Sequence, residues 1–384
     1  MPEERYRQAL AESRNAGRLR ATRAFDPGRR EILDASSNDY LGLSRHPAVV
    51  ERACAFARRW GAGSASARLI RGTLPPHDAL EEKLARLKGH EAALLMGSGY
   101  QTNASAIAAL LDERTLSAEP LVFADKLNHA SMHEGCRLAG ARQLRYRHLD
   151  LDHLEALLGK HAHEKRARFI LSESVFSMDG DRADVHALAD LAARHGAFLY
   201  LDEAHATGVF GPTGMGLAEG VAMESGLVMG TLGKSLGSYG AYVCCSRAVR
   251  EYLVNRASGF IFSTALPPPC LGAADAALDL VPTLAPRRER LLALAEALRG
   301  RLNAAGLSTE RSSTQIVPVI LGHAARALAA MEALRRENVL AVAVRPPTVP
   351  EGSSRLRLSL TALHTPDDVE RLADAVVRAA GACS

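Results

Sequence analysis

Four apolar runs of the sequence end in polar residues that could bind a ligand or carry out acid–base chemistry. These polar segments are Asp125 to His129, Glu173 to Ser177, Asp202 to His205, and Thr231 to Lys234. Ligands of open parallel sheets bind beyond the carboxyl ends of the strands, so we expect these segments at one edge of a sheet. A fifth segment, Gly97 to Tyr100, is a glycine-bearing turn into a predicted helix, and the free N–H groups of such a turn can hold a phosphate.

Three single residues in these segments allow both a chemical and a structural interpretation. Asp202 follows an apolar run, and a buried carboxylate needs a cation or strong hydrogen bonds. That cation could belong to a ligand, or Asp202 could form a core ion pair or lie in a solvated loop. Lys234 lies between glycines in TLGKSLG and is either a solvated lysine or an amine that reacts covalently. His129 in LNHAS is either a structural loop histidine or a catalytic one.

The elements that must position these residues form a repeating pattern of short apolar runs and helical spacers. The runs are AALLM (92–96), LVFAD (121–125), RFILSE (168–173), AFLYLDEAH (197–205), LVMGTLGK (227–234) and AYVCCS (241–246). Near-continuous apolar runs of this length are typical of strands that are buried on both faces. The spacer DVHALADLAARH (184–195) has helical spacing and ends before a glycine. The sequence therefore predicts an α/β fold with a mostly parallel central sheet flanked by helices.

Changes in composition predict three regions along the chain. Residues 1–36 form an N-terminal arm, residues 37–266 a large α/β domain and residues 267–384 a smaller C-terminal α+β domain. The small domain begins near three consecutive prolines and continues as a long helical stretch from about 271 to 305. The strand-like runs QIVPVIL, VLAVAV and RLRLSL follow, and a last helix opens at Thr365.

Composition and missing motifs exclude several classes of function. The net charge of +4 over 384 residues is too small to indicate a nucleic-acid or membrane surface. Six cysteines without a C-x-x-C pair fit neither a disulfide framework nor a zinc site, and we predict no metal site. The common phosphoryl-transfer, zinc-protease and esterase motifs are absent. Without an apolar leader or membrane span in the sequence, we expect a cytoplasmic protein.

The candidate residues match the needs of one cofactor, pyridoxal 5'-phosphate, which requires a phosphate-binding turn, a carboxylate, a stacking imidazole and a lysine. Seven segments resemble, in the same order, the α-oxoamine synthase family of fold type I pyridoxal phosphate enzymes. They are ASSNDYLGLS, RLIRGTLPPHDALEEKLA, LNHASMHEG, ESVFSMDGD, LDEAHATGVFG, TLGKSLGSYGAYV and RLRLSLTALH. The resemblance extends from about residue 5 to 380 and implies an acyltransferase that condenses an amino acid with a thioester and releases CO2.

The resemblance implies a role for each site residue. Lys234 binds the cofactor covalently, Asp202 pairs with the pyridine nitrogen, and His129 stacks on the ring; these three are the implied catalytic residues. The other implied cofactor contacts are Gly99, Tyr100, Glu173, Ser177, His205, Thr231, Ser263 and Thr264. Because Ser263 or Thr264 is expected to reach the phosphate of the other subunit, the resemblance implies a homodimer with shared active sites.

The implied substrate residues are Arg20, Asn38, His129, Thr348 and Arg357. The resemblance places Arg357 at the carboxylate of the amino acid, and we expect Arg357 rather than Arg355 in this role. A planar guanidinium can grip a carboxylate with two hydrogen bonds. Arg20 and Thr348 match positions that are expected at the acyl substrate.

Two segments resemble members of the family with different substrates. FIFSTALPP (260–268) and RPPTVPEGSSRLRLSLTALH resemble the members of biotin biosynthesis, which condense L-alanine with pimeloyl-CoA or a pimeloyl acyl carrier protein. GAGSASARLIRGT resembles the members that use glycine and acetyl-CoA. We expect the alanine reaction, with the glycine reaction or 5-aminolevulinate or sphingoid-base synthesis as alternatives. A cofactor-free interaction protein on the same scaffold is the alternative from a different class.

Overall fold

The computed structural model describes residues 1–22, 24–26, 28 and 31–382. Its strands, in chain order, are β1 (Leu33–Asp34), β2 (Ala92–Met96), β3 (Leu121–Asp125), β4 (Gln143–Tyr146), β5 (Arg168–Glu173), β6 (Ala197–Asp202), β7 (Gly226–Thr231), β8 (Ala241–Cys245), β9 (Ile316–Gly322), β10 (Val339–Leu340), β11 (Val342–Val344) and β12 (Ser354–Ser359).

The α-helices, in chain order, are α1 (Pro2–Asn15), α2 (Pro47–Trp60), α3 (Pro75–Lys88), α4 (Gly99–Leu110), α5 (Glu113–Leu116), α6 (Ala130–Leu138), α7 (Leu151–Lys160), α8 (Val185–Arg194), α9 (Arg247–Arg256), α10 (Ser258–Ile261), α11 (Pro268–Leu280), α12 (Ala285–Ala304), α13 (Ala324–Arg336) and α14 (Pro366–Gly381). A π-helical turn covers Arg68–Gly72 and a 3-10 turn covers Val281–Thr283. Within the described ranges, no helix combines the length and the apolar character that crossing a membrane would require.

The chain divides into two compact units. One comprises residues 1–38, 178–180 and 290–384, and the other comprises residues 39–177 and 181–289. The three-region division predicted from composition, with boundaries after residues 36 and 266, stays a prediction. Four residues of the predicted arm lie outside the described residues: Arg23, Pro27, Arg29 and Arg30.

The larger unit contains a seven-stranded sheet in the order β2-β8-β7-β6-β5-β3-β4. The strands from β7 to β4 are parallel to their neighbours, whereas β8 is antiparallel to both β2 and β7. β2 therefore runs in the same direction as β7, and the carboxyl ends of β2, β3, β5, β6 and β7 lie along one edge. The predicted mostly parallel sheet is confirmed. β4 was not predicted, because its sequence QLRY is short and mostly polar.

Alternating side chains of this sheet form a core on each of its faces. On β2, for example, Leu94 packs into one cluster and Leu95 into another. The first face is covered by α4, α6, α9 and α10, and the second by α2, α3 and α11 at one end and by α7 and α8 at the other. Helices on both faces fix the sheet edge where the polar strand ends meet.

The smaller unit contains a three-stranded antiparallel sheet in the order β11-β12-β9 and a parallel pair of β1 with β10. Its last helix, α14, begins after Thr365, which forms a capping box with Asp368, as the sequence predicts. The helical stretch predicted from about 271 to 305 is two helices, α11 and α12. Pro282 lies between them, and its missing N–H removes the hydrogen bond that would continue α11.

Candidate active site

The turn from β2 into α4 forms the candidate phosphate site of the larger unit. Ser98 is the N-cap of α4, and its hydroxyl accepts a hydrogen bond from the Gln101 N–H at 3.3 Å. The first N–H groups of a helix, here those of Gly99 and Tyr100, have no acceptor within the helix, and the helix dipole favours an anion there. The turn can therefore hold a phosphate on backbone N–H groups, as the sequence predicts.

Asp202, the last residue of β6, is a buried carboxylate held by neutral donors. Its Oδ1 accepts a hydrogen bond from the Ala204 N–H at 2.8 Å, and its Oδ2 accepts one from Nδ2 of Asn103 at 2.7 Å. Among the described residues, no lysine or arginine forms an ion pair with this carboxylate. Since an isolated buried charge is costly, the arrangement suits a ligand that brings its own cation.

Lys234 and His205 form the second part of the site, together with Tyr40. Nζ of Lys234 lies 2.7 Å from Nε2 of His205, and Nδ1 of His205 lies 2.6 Å from the Tyr40 hydroxyl. A protonated lysine can only donate, so His205 then accepts at Nε2 and donates from Nδ1 to Tyr40. The structure thus brings two of the predicted residues together and adds Tyr40, whose role the sequence did not indicate.

His129 lies at the start of α6, where it is the N-cap residue. Its Nδ1 is 2.6 Å from the hydroxyl of Ser131, and its ring is edge-on to that of Tyr100 with centroids 6.4 Å apart. Burial lowers the pKa of His129, the Asp202 carboxylate opposes this, and Lys234 reinforces it. A neutral imidazole is the form that a cationic ring can stack against without repulsion.

Glu173, the last residue of β5, and Ser177, which follows that strand, are both buried. Burial and the negative charge of Asp202 raise the pKa of Glu173 well above its usual range. Both causes favour the uncharged form of the carboxyl group.

The predicted phosphate contacts Thr231, Ser263 and Thr264 have partners within the larger unit. Thr231 donates its hydroxyl proton to the Gly240 carbonyl at 3.1 Å and accepts from the Gly233 N–H. Ser263 accepts a hydrogen bond from Gln101 on the first turn of α4, and Thr264 forms an isolated bridge with Ala67. The roles of these three residues at a phosphate stay predictions.

The predicted substrate residues of the smaller unit form two pairs. Nη2 of Arg357 donates to Oδ1 of Asn38 at 3.2 Å, and Nη1 donates to the Ser359 hydroxyl at 2.8 Å. Nη2 of Arg20 donates to the Thr348 hydroxyl at 3.2 Å. The two residues of each pair lie more than 300 positions apart in the sequence. The fold therefore brings into contact residues that the sequence predicted singly.

Arg355 and Arg357 differ in their partners on β12. Residues two apart on a strand share a face, so facing alone cannot separate the two arginines. Arg355 forms an ion pair with Asp179 at 2.7 Å and donates to the Met178 carbonyl. The charge of Arg355 is therefore balanced by a carboxylate of its own unit. The role of Arg357 at a substrate carboxylate stays a prediction.

The sequence did not indicate several polar residues that contact the predicted site segments or one another. They are Tyr40, Lys88, Asn103, Ser131, His148 and Tyr200. Asn103 lies one helical turn after Gly99, so helical spacing on α4 was a signal that could have placed it near the strand ends. Lys88 and His148 gave no such signal, because their partners come from distant parts of the chain.

The groups at this edge of the sheet fit pyridoxal phosphate. The site offers a helix N-terminus for the phosphate, a primary amine for the aldehyde carbon and a buried carboxylate, without an ion-pair partner among the described residues, for the pyridine nitrogen. The neutral His129 supplies a flat ring beside them.

Comparisons with known proteins agree with this fit. The aminotransferase class I and II family matches residues 30–376. A putative 8-amino-7-oxononanoate synthase from Magnetococcus marinus is 56% identical over 380 residues, which cover 97% of this chain and 96% of that protein. An 8-amino-7-oxononanoate synthase from Gluconacetobacter diazotrophicus is 55% identical over 352 residues, covering 91% of this chain and 88% of that protein.

Solved structures show the same likeness in three dimensions. A serine palmitoyltransferase from S. paucimobilis with bound PLP-myriocin is 28% identical, covers 100% of this chain and 97% of its own, and superposes with a TM-score of 0.89. The similarity therefore includes a protein whose structure contains the cofactor that the site residues fit.

Proposed function

Because the chain belongs to the class I and II aminotransferase family, and within it to the 8-amino-7-oxononanoate synthases of the α-oxoamine synthase family, we propose that it performs their reaction in biotin biosynthesis. In this reaction L-alanine condenses with a pimeloyl thioester to give 8-amino-7-oxononanoate, CO2 and a free thiol. The structural observation that carries the chemistry is the buried Asp202 carboxylate on the same sheet edge as Lys234, with neutral hydrogen-bond donors on both of its oxygens.

Four groups of the chain would hold pyridoxal phosphate. The N–H groups of Gly99 and Tyr100 would bind its phosphate, Lys234 its aldehyde carbon, Asp202 its pyridine nitrogen and His129 the face of its ring. When bound, the cofactor supplies an electron sink for the pair of electrons that remains at Cα after loss of a proton or of CO2.

Lys234 would be the base that transfers the α-proton of the substrate. Its Nζ must be neutral to remove the α-proton of alanine, and the nearby Nε2 of His205, at 2.7 Å, can accept a hydrogen bond from the amine and hold it in place. The Asn103 amide and the Ala204 N–H both donate to Asp202, and these are the contacts that a carboxylate anion requires. The site therefore separates the two tasks, with a base at Lys234 and a fixed anion at Asp202.

The substrate residues act by charge. Arg357 binds the carboxylate of alanine, with Asn38 holding one of its nitrogens. Arg20, with Thr348, faces the acyl thioester, whose carrier is anionic whether it is coenzyme A or an acyl carrier protein. The segment GAGSASARLIRGT, which includes the π-helical turn Arg68–Gly72, resembles relatives that use glycine. Because of this resemblance, the condensation of glycine with acetyl-CoA is the second candidate reaction.

A homodimer belongs to the same proposal. Large apolar side chains are exposed on the larger unit, among them Ile70 and Phe262, which are 82% and 83% exposed. Exposed apolar side chains of this kind support a subunit contact, and Phe262 precedes the implied cross-subunit residue Ser263. Sedimentation of the purified chain should give twice the monomer mass. The cytoplasmic location stays a prediction of the sequence.

One assay tests the proposed reaction. The purified, yellow holoenzyme is mixed with alanine or glycine and with pimeloyl-CoA, a pimeloyl acyl carrier protein or acetyl-CoA, while thiol release and product mass are followed. We expect turnover with alanine and a pimeloyl thioester. Turnover only with glycine and acetyl-CoA would assign the second candidate reaction instead, and a colourless protein without turnover would contradict both.

A further inference from the structure

A chain of hydrogen bonds, buried except at His129, joins His129 to Asp202. Nδ1 of His129 contacts the Ser131 hydroxyl at 2.6 Å, and the Ser131 oxygen accepts from Nδ2 of Asn103 at 2.9 Å. The same Nδ2 donates its second proton to Oδ2 of Asp202 at 2.7 Å, and Oδ1 of Asn103 accepts from the Tyr200 hydroxyl at 2.8 Å. Asn103, Ser131 and Tyr200 are at most 1% exposed, so water does not compete for the contacts among them and with Asp202, whereas His129, at the end of the chain of hydrogen bonds, is exposed.

The direction of each hydrogen bond in this chain is fixed by chemistry. The Asp202 carboxylate can only accept, so the amide nitrogen of Asn103 must face it, and both of its protons are then used. The Ser131 oxygen accepts one of them, and its single hydroxyl proton has no other acceptor among the described residues than Nδ1 of His129. The Ser131 N–H also points at that nitrogen, at 3.3 Å. Nδ1 of His129 is therefore an acceptor.

We propose that Asn103 and Ser131 are positioning residues that lock His129 as the neutral imidazole with its proton on Nε2 while Asn103 holds the carboxylate of Asp202. The inference rests on the proposed pyridoxal phosphate site. There the chain would link the group at the pyridine nitrogen to the group on the face of the ring, and it would leave Nε2 of His129 as a hydrogen-bond donor.

The surroundings of His129 agree with this assignment. The charged or titratable groups that face it are Asp202 at the end of β6, Lys234 after β7, His133 on α6, Glu173 at the end of β5, and Tyr100 on α4. Burial, Lys234 and His133 lower the pKa of His129, and Asp202 raises it. Glu173 accepts a hydrogen bond from the backbone of His129, and burial together with the charge of Asp202 raises the pKa of Glu173 well above its usual range, which favours its uncharged form.

The first test measures the tautomer directly. Nitrogen-15 NMR of the imidazole side chains is recorded on the full-length protein without and with added pyridoxal phosphate, and His129→Gln identifies the signal. We expect an unprotonated Nδ1 and a protonated Nε2 at neutral pH, already without the cofactor. A proton on Nδ1 would overturn the proposal, and because this result does not need the cofactor it is independent of the proposed function.

The second test removes the hydroxyl donor. Ser131→Ala frees Nδ1, so the pH at which His129 becomes half protonated should move upward in an NMR titration, and Ser131→Thr should restore it. Loss of one neutral hydrogen bond corresponds to about a 2- to 10-fold larger dissociation constant for pyridoxal phosphate, measured by fluorescence. Ser174→Ala is the matched control, because the Ser174 hydroxyl is equally buried and has no hydrogen-bond partner in the part of the chain that the structure describes.

The outcomes separate the two hypotheses. An unchanged titration of His129 in Ser131→Ala, or the same shift in Ser174→Ala, would overturn the positioning role. If the wild-type chain shows the expected tautomer but does not bind pyridoxal phosphate, the proposed function fails while the hydrogen-bond assignment stands.

Discussion

Asp202 and Glu203 are neighbouring buried carboxylates that have opposite surroundings. Oε2 of Glu203 forms an ion pair with Nζ of Lys88 at 2.8 Å, and its Oε1 accepts from the Ala218 N–H at 2.9 Å. Lys88 also donates to the Met215 carbonyl, and the pKa of Lys88 is raised because the attraction of Glu203 exceeds the cost of burial. Among the described residues, the side chain of Asp202 has the amide donors of Asn103 and Ala204 and no cation.

The difference separates a structural carboxylate from a binding one. Glu203 has its counter-charge within the chain, and the pair fastens α3 to the segment after β6. Asp202 has no such cation among the described residues, although burying it costs the same desolvation. A lysine balances the charge of Glu203, and no lysine among the described residues balances that of Asp202. This difference supports the proposal that Asp202 pairs with a cationic ligand, the pyridinium.

The largest expected effect follows from removing the charge of Asp202. Asp202→Asn keeps the shape of the side chain but removes the anion that would hold the pyridine proton, so the rate of α-proton exchange of alanine should fall by orders of magnitude. Exchange is followed by NMR in heavy water. The unfolding temperature should stay close to that of the wild type, and near-normal exchange would show that Asp202 is only structural.

Removing the cation of Glu203 should affect stability rather than chemistry. Lys88→Met leaves a buried carboxylate without a partner and should cost about 3–5 kcal/mol in the free energy of unfolding, measured in urea. The double variant Lys88→Met with Glu203→Gln should recover much of this loss, because the uncompensated charge is gone. Equal losses in the single and double variants would mean that the pair does not balance charge.

Arg357 and Arg355 extend the comparison to cations. Arg357→Lys should raise the dissociation constant for alanine by roughly 10- to 150-fold, the equivalent of a charge-assisted contact of about 1.5–3 kcal/mol. The constant is read from the visible spectrum of the holoenzyme. Arg355→Lys is the matched control, because Arg355 is paired with Asp179. A defect in the control variant alone would move the carboxylate site to Arg355.

His148 gives the smallest expected effect, in the pH dependence of stability. It bridges Asp125 and Asp181 at 2.9 Å each; although burial opposes it, these two carboxylates raise the pKa of His148 to about 9. The folded chain thus keeps a proton that the unfolded chain releases near pH 6.5. The bridge should add roughly 2 kcal/mol to the free energy of unfolding below about pH 6.5, and this stabilisation should be lost as the pH rises through 9.

Urea unfolding at several pH values measures this contribution. His148→Gln, which carries no charge at any pH, should have a flatter pH dependence of stability between pH 6.5 and 9 than the wild type. A slope equal to that of the wild type would assign the effect to other groups.

The sequence predicted the strands that carry the site and the residues at their ends. Asp202 and Lys234 could be found because each directly follows an apolar run, and parallel strands bring such ends to one edge. Lys88 could not be found, because its partner Glu203 lies 115 residues away in the sequence. Helical spacing from Gly99 places Asn103 near the strand ends, but only the folded sheet shows that it meets Asp202, 99 residues away. β4 could not be predicted as a strand, because its sequence QLRY is mostly polar.

The central claim is that the sheet edge with Lys234 and Asp202 binds pyridoxal phosphate covalently. Borohydride reduction of the yellow protein, followed by proteolysis and mass spectrometry, tests it most directly. The account predicts one phosphopyridoxyl group per chain, attached to Lys234. A label on Lys126 or another lysine, or no label on a protein that binds the cofactor, would contradict it.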